Sequence, residues 1–270
     1  MSRAFSLSML VAAAFILPAS ATTAPAPLVA PAQDELDAPP PPLPEGAEAL
    51  PHPVRDLQGG VATYTVTSTG GPGSSIPPFT MVRTIEEKDG AWSITNDSRV
   101  PSFATSGIKI PGMTITDVTI LEKRSLVLRK HSSQISNAPL PQEEIEYKGG
   151  TVSGTTNYGG KPKTLNIDLG GALFCGQTEC LACLPLAEGF ATSYRSFVAF
   201  NQKTTRITFR VVGTETLTVG GVPRKAWKAE MTPEEMNSWH HTVWIAQDTP
   251  LMLKMITNTA GMQTTIDLVP

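Results

Sequence analysis

Arg206-Ile207-Thr208-Phe209-Arg210-Val211-Val212 is the stretch that decides the fold class. Ile207, Phe209 and Val211 alternate with Arg206, Thr208 and Arg210, and a period of two puts the two sets on opposite faces of a half-buried strand. The same rhythm runs outward in both directions. In Val61–Thr67, Ala62, Tyr64 and Val66 share one face and Thr63, Thr65 and Thr67 the other. Trp239, His241, Val243 and Ile245 fall together, Leu251, Leu253 and Met255 alternate with Met252 and Lys254, and Met262, Thr264, Ile266 and Leu268 alternate with Gln263, Thr265 and Asp267. Thirty residues after Arg55 are Thr, a β-branched type suited to a pleated, half-wet surface.

Turn chemistry separates these runs. Lys148-Gly149-Gly150-Thr151, Val219-Gly220-Gly221-Val222 and Asn258-Thr259-Ala260-Gly261 each carry glycine where a tight hairpin needs positive φ. The pattern predicts a mainly β fold, a strongly curved antiparallel sheet (half-barrel or open barrel) with one or two short helices. The helical candidates are Gly176–Leu184, stopped by Pro185, and Thr232-Pro233-Glu234-Glu235, which has a cap residue and Pro at the first helical position. The second reads equally well as a hairpin tip.

The N-terminal part is different material. Arg3, the apolar stretch Leu7–Leu17 and the small-residue site Ala19-Ser20-Ala21 read as a signal peptide over residues 1–21. Ten of the 34 residues 22–55 are Pro, including Pro39-Pro40-Pro41-Pro42, and they predict an extended, disordered, acidic linker. Residues 56–270 then form a single β-rich domain. The expected location is periplasmic or secreted, with no transmembrane segment once the leader is cleaved. The chain has a formal net charge of −3 and no basic excess, which argues against nucleic acid as a partner.

Few residues suggest chemistry. Cys175, Cys180 and Cys183 are spaced C-x4-C-x2-C, and in an exported chain one bridge is the first expectation, Cys175–Cys180 or Cys175–Cys183. The favoured plainer reading is a loop or short helix carrying one bridge or none, with a buried Cys183 beside Leu184. A zinc site would need a fourth ligand, and none lies nearby in the sequence, so no metal is expected. His240 and His241 point to opposite faces of a strand, and one of them is expected to be a satisfied core or cavity histidine. In Glu143–Lys148, Ile145 and Tyr147 make the inner face and Glu144 and Glu146 the wet one. G-x-S-x-G, H-E-x-x-H and the glycine-rich phosphate-binding motifs are absent, so no catalytic residues or cofactors are assigned.

Leu184-Pro185-Leu186-Ala187-Glu188-Gly189-Phe190, Val211-Val212-Gly213-Thr214-Glu215, Val243-Trp244-Ile245-Ala246 and Thr249-Pro250-Leu251 carry a resemblance. In this order they resemble an uncharacterised family of exported bacterial β-rich proteins, whose fold is similar to that of the outer-membrane lipoprotein carrier and sorting proteins. The resemblance implies a curved antiparallel sheet wrapped part-way round a short helical element, with an apolar concavity. It carries no established catalytic residues.

The leading expectation is a non-enzymatic envelope protein that binds an apolar ligand, a lipid or lipoprotein acyl chain, in the concave face of the sheet. Trp239, Val243, Trp244, Ile245, Leu253 and Met255 are the expected lining residues. The alternative is a structural or scaffolding module with a packed core and no ligand, recruiting an envelope protein partner. The third is an enzyme built on His241, Cys183 or the Glu143–Glu146 run.

Overall fold

The computed structural model describes residues 50–70, 76–105, 108–136, 138, 140–158, 161–234, 239–259 and 261–270. Residues 1–49, which hold the predicted signal peptide and most of the predicted Pro-rich linker, lie outside these residues. The strands are β1 (Gly60–Gly70), β2 (Phe79–Lys88), β3 (Ala91–Val100), β4 (Phe103–Thr105), β5 (Ile108–Ile110), β6 (Met113–Glu122), β7 (Leu128–Ile135), β8 (Glu143–Lys148), β9 (Thr151–Thr156) and β10 (Lys163–Asp168). After a single helical turn, α1 (Thr178–Leu181), come β11 (Ala191–Val198), β12 (Lys203–Val219), β13 (Val222–Pro233), β14 (Trp239–Ala246), β15 (Met252–Thr259) and β16 (Met262–Leu268).

Fourteen strands form one antiparallel sheet in the order β10-β9-β8-β7-β6-β3-β2-β1-β16-β15-β14-β13-β12-β11. β4 and β5 form a separate hairpin. The first and last strands pair in mid-sheet, with Val66 opposite Ile266. The two edges, β10 and β11, are consecutive in sequence and do not pair with each other, so the barrel is not closed. They nevertheless approach. Ile145, Val152 and Leu165 pack in one cluster with Phe197 and Ala199, and Arg195 donates to Leu169 O at 2.5 Å.

The predicted hairpins are present. Gly149 and Gly150 turn β8 into β9 at φ 58° and 83°, and Gly220 and Gly221 turn β12 into β13 at 57° and 79°. Positive φ at both central residues matches the twist of the flanking strands. The helical reading of Thr232-Pro233-Glu234-Glu235 is corrected. Thr232 and Pro233 end β13 opposite Thr208 and Ile207, and Glu234 N donates to Arg206 O at 2.9 Å; Glu235 lies outside the described residues. Strand pairing over a long hairpin outweighs a local capping preference.

Residues 169–190 link the two sheet edges by crossing the concave side. Phe174, Leu181 and Leu184 on this link are fully buried among Ile94, Phe209 and Val243 from the sheet. Each such side chain contributes about 1.5–3 kcal/mol of burial. α1 is shorter than the Gly176–Leu184 reading because its last bonds tighten, with Cys183 N and Leu184 N reaching back three residues to Cys180 O and Leu181 O. Val54 N and Arg55 N both donate to Cys183 O, at 2.8 and 3.3 Å, tying the chain before β1 to this link, which acts as a plug in the open sheet.

Candidate functional site

Strand alternation sends a row of polar side chains inward. Arg83 of β2 stands opposite Asn96 of β3, which stands opposite Asp117 of β6, Ser133 of β7, Glu143 of β8 and Thr156 of β9 in turn. All six are buried. A second row on the other half of the sheet runs His241, Thr257, Thr264 and Ser68. Between the two lies an apolar row, Val243, Met255, Ile266, Val66 and Phe79.

The plug engages the first row directly. Arg83 Nη1 donates to both carboxylate oxygens of Glu179 on α1, and Arg83 Nε donates to Asn96 Oδ1 at 2.6 Å. The guanidinium also lies 5.5 Å from the centroid of the Tyr64 ring, and the Tyr64 hydroxyl donates to Glu179 Oε1 at 3.4 Å. Burial alone would lower the Arg83 pKa, but the Glu179 carboxylate beside it raises it, and the net direction is up. Burial, reinforced by Glu179, keeps the Tyr64 phenol protonated.

Further along, His131 Nδ1 meets Thr119 Oγ1 at 3.2 Å, and Gln177 Nε2 donates to the same oxygen at 2.9 Å. His131 Nε2 is 3.4 Å from Glu143 Oε2. Burial, then the Asp117 charge, push the Glu143 carboxyl up to about 8, and burial lowers His131 to about 4. At neutral pH the contact therefore joins a carboxylic acid and a neutral imidazole rather than an ion pair.

Where the plug stands away from the sheet, a cavity of about 210 Å³ remains. Val66, Ile76, Phe79, Met255 and Ile266 give it apolar walls. Arg83, Asn96, Asp117, Gln177 and His241 give it polar ends. His241 Nδ1 is hydrogen-bonded to Thr257 Oγ1 at 2.8 Å, and burial, with His240 adding to it, lowers its pKa to about 4. It is the satisfied cavity histidine that strand alternation predicts. His240, on the other face, is 3.9 Å from Glu230. A wider depression of about 580 Å³, bounded by Thr69, Gly70, Asn258 and Gln263, is an open groove at a hairpin end and lacks these features.

The sequence-predicted lining residues divide. Met255 lines the cavity, Val243 and Ile245 are buried beside it on the inner face, and Trp239 is half-buried with its ring edge-on to His241 at 5.8 Å. Trp244 and Leu253 are corrected: they belong to a separate cluster on the convex face with Ala226 and Ala246. Alternation itself puts Trp244 on the face opposite Val243 and Ile245, and a bulge moves Leu253. Trp244 pairs with Lys254 but Ile245 pairs with Met252, so Leu253 is the extra residue, and Met252 turns into the core in its place. On the convex face Trp244 Nε1 donates to Glu215 Oε2 at 2.8 Å, with Lys228 and Lys254 over its ring.

Cys175, Cys180 and Cys183 are free, buried thiols in the structure, so neither expected bridge is present. Cys183 Sγ donates to Glu179 O at 3.3 Å, along its own helical turn. Burial raises the Cys180 thiol and pushes Cys183 up to about 12, which keeps both protonated and poorly nucleophilic. Among the described residues no His, Cys, Asp and Glu group is arranged to hold a metal. No helix among them is long and apolar enough to cross a membrane.

The fold and cavity define a β-barrel-like protein, an open antiparallel sheet closed over by its own edge-to-edge link. Residues 63–267 match DUF3108, described as a protein of unknown function, and the chain belongs to that family. A similar solved structure is a β-barrel-like protein with the domain of unknown function DUF1849 from Brucella abortus. It shares 11% identity and a TM-score of 0.55, over 77% of this chain and 94% of that one. The hypothetical lipoprotein YmcC from Escherichia coli matches at 12% identity and a TM-score of 0.32, over 76% of this chain and 86% of that one. No curated protein matches the chain. The supported resemblance is thus to β-rich proteins of unknown function, and the likeness to lipoprotein carriers is not confirmed.

Proposed function

We propose that this protein is an exported, non-enzymatic binding protein that takes a small apolar molecule, or the end of an acyl chain, into the cavity between its sheet and its plug. The observation that carries this reading is the cavity of about 210 Å³ with apolar walls on the concave face. Apolar protein cavities of about 150 Å³ admit benzene, whereas drug-sized ligands occupy about 300–1,000 Å³. A ligand or chain segment of about eight carbons is the matching size by that scale. A binding role without chemistry suits His241, whose pKa of about 4 makes it a poor general base at neutral pH. The leader-like N-terminus supports an envelope location.

Material exported by its own host and purified without detergent should carry a non-covalent adduct of lipid-like mass in native mass spectrometry. Met255→Trp, which fills the cavity, should abolish the adduct while leaving the far-ultraviolet circular dichroism unchanged. A bare wild-type mass with no uptake of added short-chain amphiphiles sinks the reading. A second reading is favoured by the plug, which already fills most of the concavity with Phe174, Leu181 and Leu184. In that case the body is a packed scaffold, and deletion of residues 22–54 should abolish recruitment of an envelope partner without altering the fold.

A further inference from the structure

Three thioethers and an imidazole share the cavity: Met81, Met231, Met255 and His241 all line it. Met231 on β13 stands directly opposite His241 on β14. Met255 on β15 pairs with Val243, two residues along from His241, and is therefore its diagonal neighbour on the same concave face. Directly opposed residues hold their Cβ atoms about 4.5–5.5 Å apart and diagonal ones about 7–8 Å, within reach of long side chains. Met is unbranched and turns about three bonds, so both thioethers swing toward the ring without backbone movement. Met81 lies on β2, three strands from β15, and is not needed for a set of three ligands.

The imidazole is already oriented. His241 Nδ1 is hydrogen-bonded to Thr257 Oγ1 at 2.8 Å. With the proton on Nδ1 and donated there, Nε2 keeps its lone pair, the arrangement in which metal-bound histidines are held. Thioethers are soft ligands and, joined to an imidazole, select Cu(I) over harder ions. None of the three side chains brings a negative charge, and Val66, Ile76, Phe79 and Ile266 make the surroundings apolar. A monovalent ion therefore costs less to bury here than a dication. Arg83, the cationic lining residue, has its charge offset by Glu179.

The other soft donors of the chain are less suited. Cys175, Cys180 and Cys183 are buried, and none of them is among the residues lining the cavity. A thiol has to lose its proton to bind a metal strongly, and burial pushes Cys183 up to about 12. A thioether has no proton to lose, so the same burial leaves it a donor.

We propose that the cavity holds a single Cu(I) ion, coordinated by His241 Nε2 and by the Sδ atoms of Met231 and Met255. This site stands independently of the apolar-ligand reading.

The test titrates the full chain without oxygen, using Cu(I) buffered by bicinchoninate and, in parallel, Ag(I) as a redox-inert stand-in. Native mass spectrometry should show one ion per chain. In protein with isotope-labelled methionine methyl groups, the nuclear magnetic resonance signals of Met231 and Met255 should shift on binding, and Zn(II) at the same concentration should move neither. Met231→Leu and Met255→Leu are close to isosteric and keep the fold. Each should weaken Cu(I) binding at least about tenfold, the lower end of what losing even an outer-sphere partner costs. An ion that binds as tightly to the Met231→Leu/Met255→Leu double variant lies on the cysteine thiols and overturns the proposal. No uptake by the wild type overturns it as well, as does Zn(II) binding as tightly as Cu(I). Should the double variant not fold, the wild-type methyl signals decide, because an ion held by the thiols leaves both unmoved. Amphiphile uptake is measured without metal, so failure of either reading leaves the other to its own result.

Discussion

Glu179→Ala isolates the contact that seats the plug. The pair it breaks is buried on both sides, the side chains of Arg83 and Glu179 being 10% and 1% exposed. The variant leaves the guanidinium in the interior with Asn96 Oδ1 and the Tyr64 ring but without the Glu179 carboxylate. Removing one partner of such a pair costs about 3–5 kcal/mol, most of it the stranded charge rather than the worth of the pair. The Tyr64 hydroxyl keeps Met252 O as an acceptor at 3.3 Å, so its loss adds little. For a domain of this size 1 kcal/mol moves the melting temperature by about 2–4 °C, so the expected fall is about 6–20 °C. Urea unfolding followed by tryptophan fluorescence gives the free energy directly. Arg83→Met with Glu179→Leu replaces the pair by apolar groups and should recover most of the loss, since such replacements are often neutral or stabilising. A loss below about 1 kcal/mol in Glu179→Ala, the magnitude of a surface pair, would refute the reasoning. So would a double variant as unstable as the single.

Two further predictions concern the buried titratable groups and a sterically confined glycine. Glu143 has a folded pKa of about 8, above its ordinary value, so its contribution is fully present below about pH 4.5 and is lost as pH rises through 8. His131 and His241, both near 4, contribute above pH 6.5 and lose that contribution as pH falls through 4. Together the three place a stability maximum near pH 6.5, with a loss of up to about 1.4 kcal/mol per pH unit toward pH 8. Urea midpoints from pH 5 to 9 should show this alkaline slope and its disappearance in Glu143→Gln; an unchanged slope in that variant means Glu143 is ionised in the fold. Gly154→Ala should cost about 2–4 kcal/mol in the same assay, because φ is 137° and the new Cβ would lie 2.0 Å from Glu144 O. Gly149→Ala, at φ 58° with open space around it, should cost only about 1 kcal/mol, and equal losses at the two sites would remove the steric argument.

Alternation made the sheet legible, because each strand repeats its own in-and-out pattern and glycine pairs mark the hairpins. The sequence does not show which strands meet. Val66 opposite Ile266 joins residues two hundred positions apart, and no local pattern announces that pairing. The polar row is hidden for the same reason. Asn96, Asp117, Ser133 and Glu143 each occupy an inward position on a different strand, where each alone looks like an exposed residue in a slightly imperfect pattern. The signal available was parity: Asp117 shares the inward phase of Ile115 and Leu121, and Glu143 that of Ile145. Leu253 was misread through parity too, since the bulge opposite Trp244 and Ile245 breaks the alternation without any glycine or proline to mark it.

The sheet order explains why buried polar groups are tolerated here. Because the edges β10 and β11 are consecutive in the chain, the link between them has to return across the mouth of the curved sheet. A four-residue helix on that link has no stability of its own, as isolated helices need about 12–15 residues to be even marginal. Apolar burial of Phe174, Leu181 and Leu184 holds the link against the core but is non-directional. Directional contacts then set its register: Glu179 on Arg83, Gln177 on Thr119, and Cys183 O receiving Val54 N and Arg55 N. Arg83 and Gln177, one member of each of the first two contacts, line the cavity, so a change that unseats α1 alters the cavity with it. Glu179→Ala should accordingly weaken uptake of short-chain amphiphiles even in preparations still fully folded at 15 °C, whereas Gly154→Ala, on the β8–β9 ladder, should destabilise the protein and leave that uptake as it was.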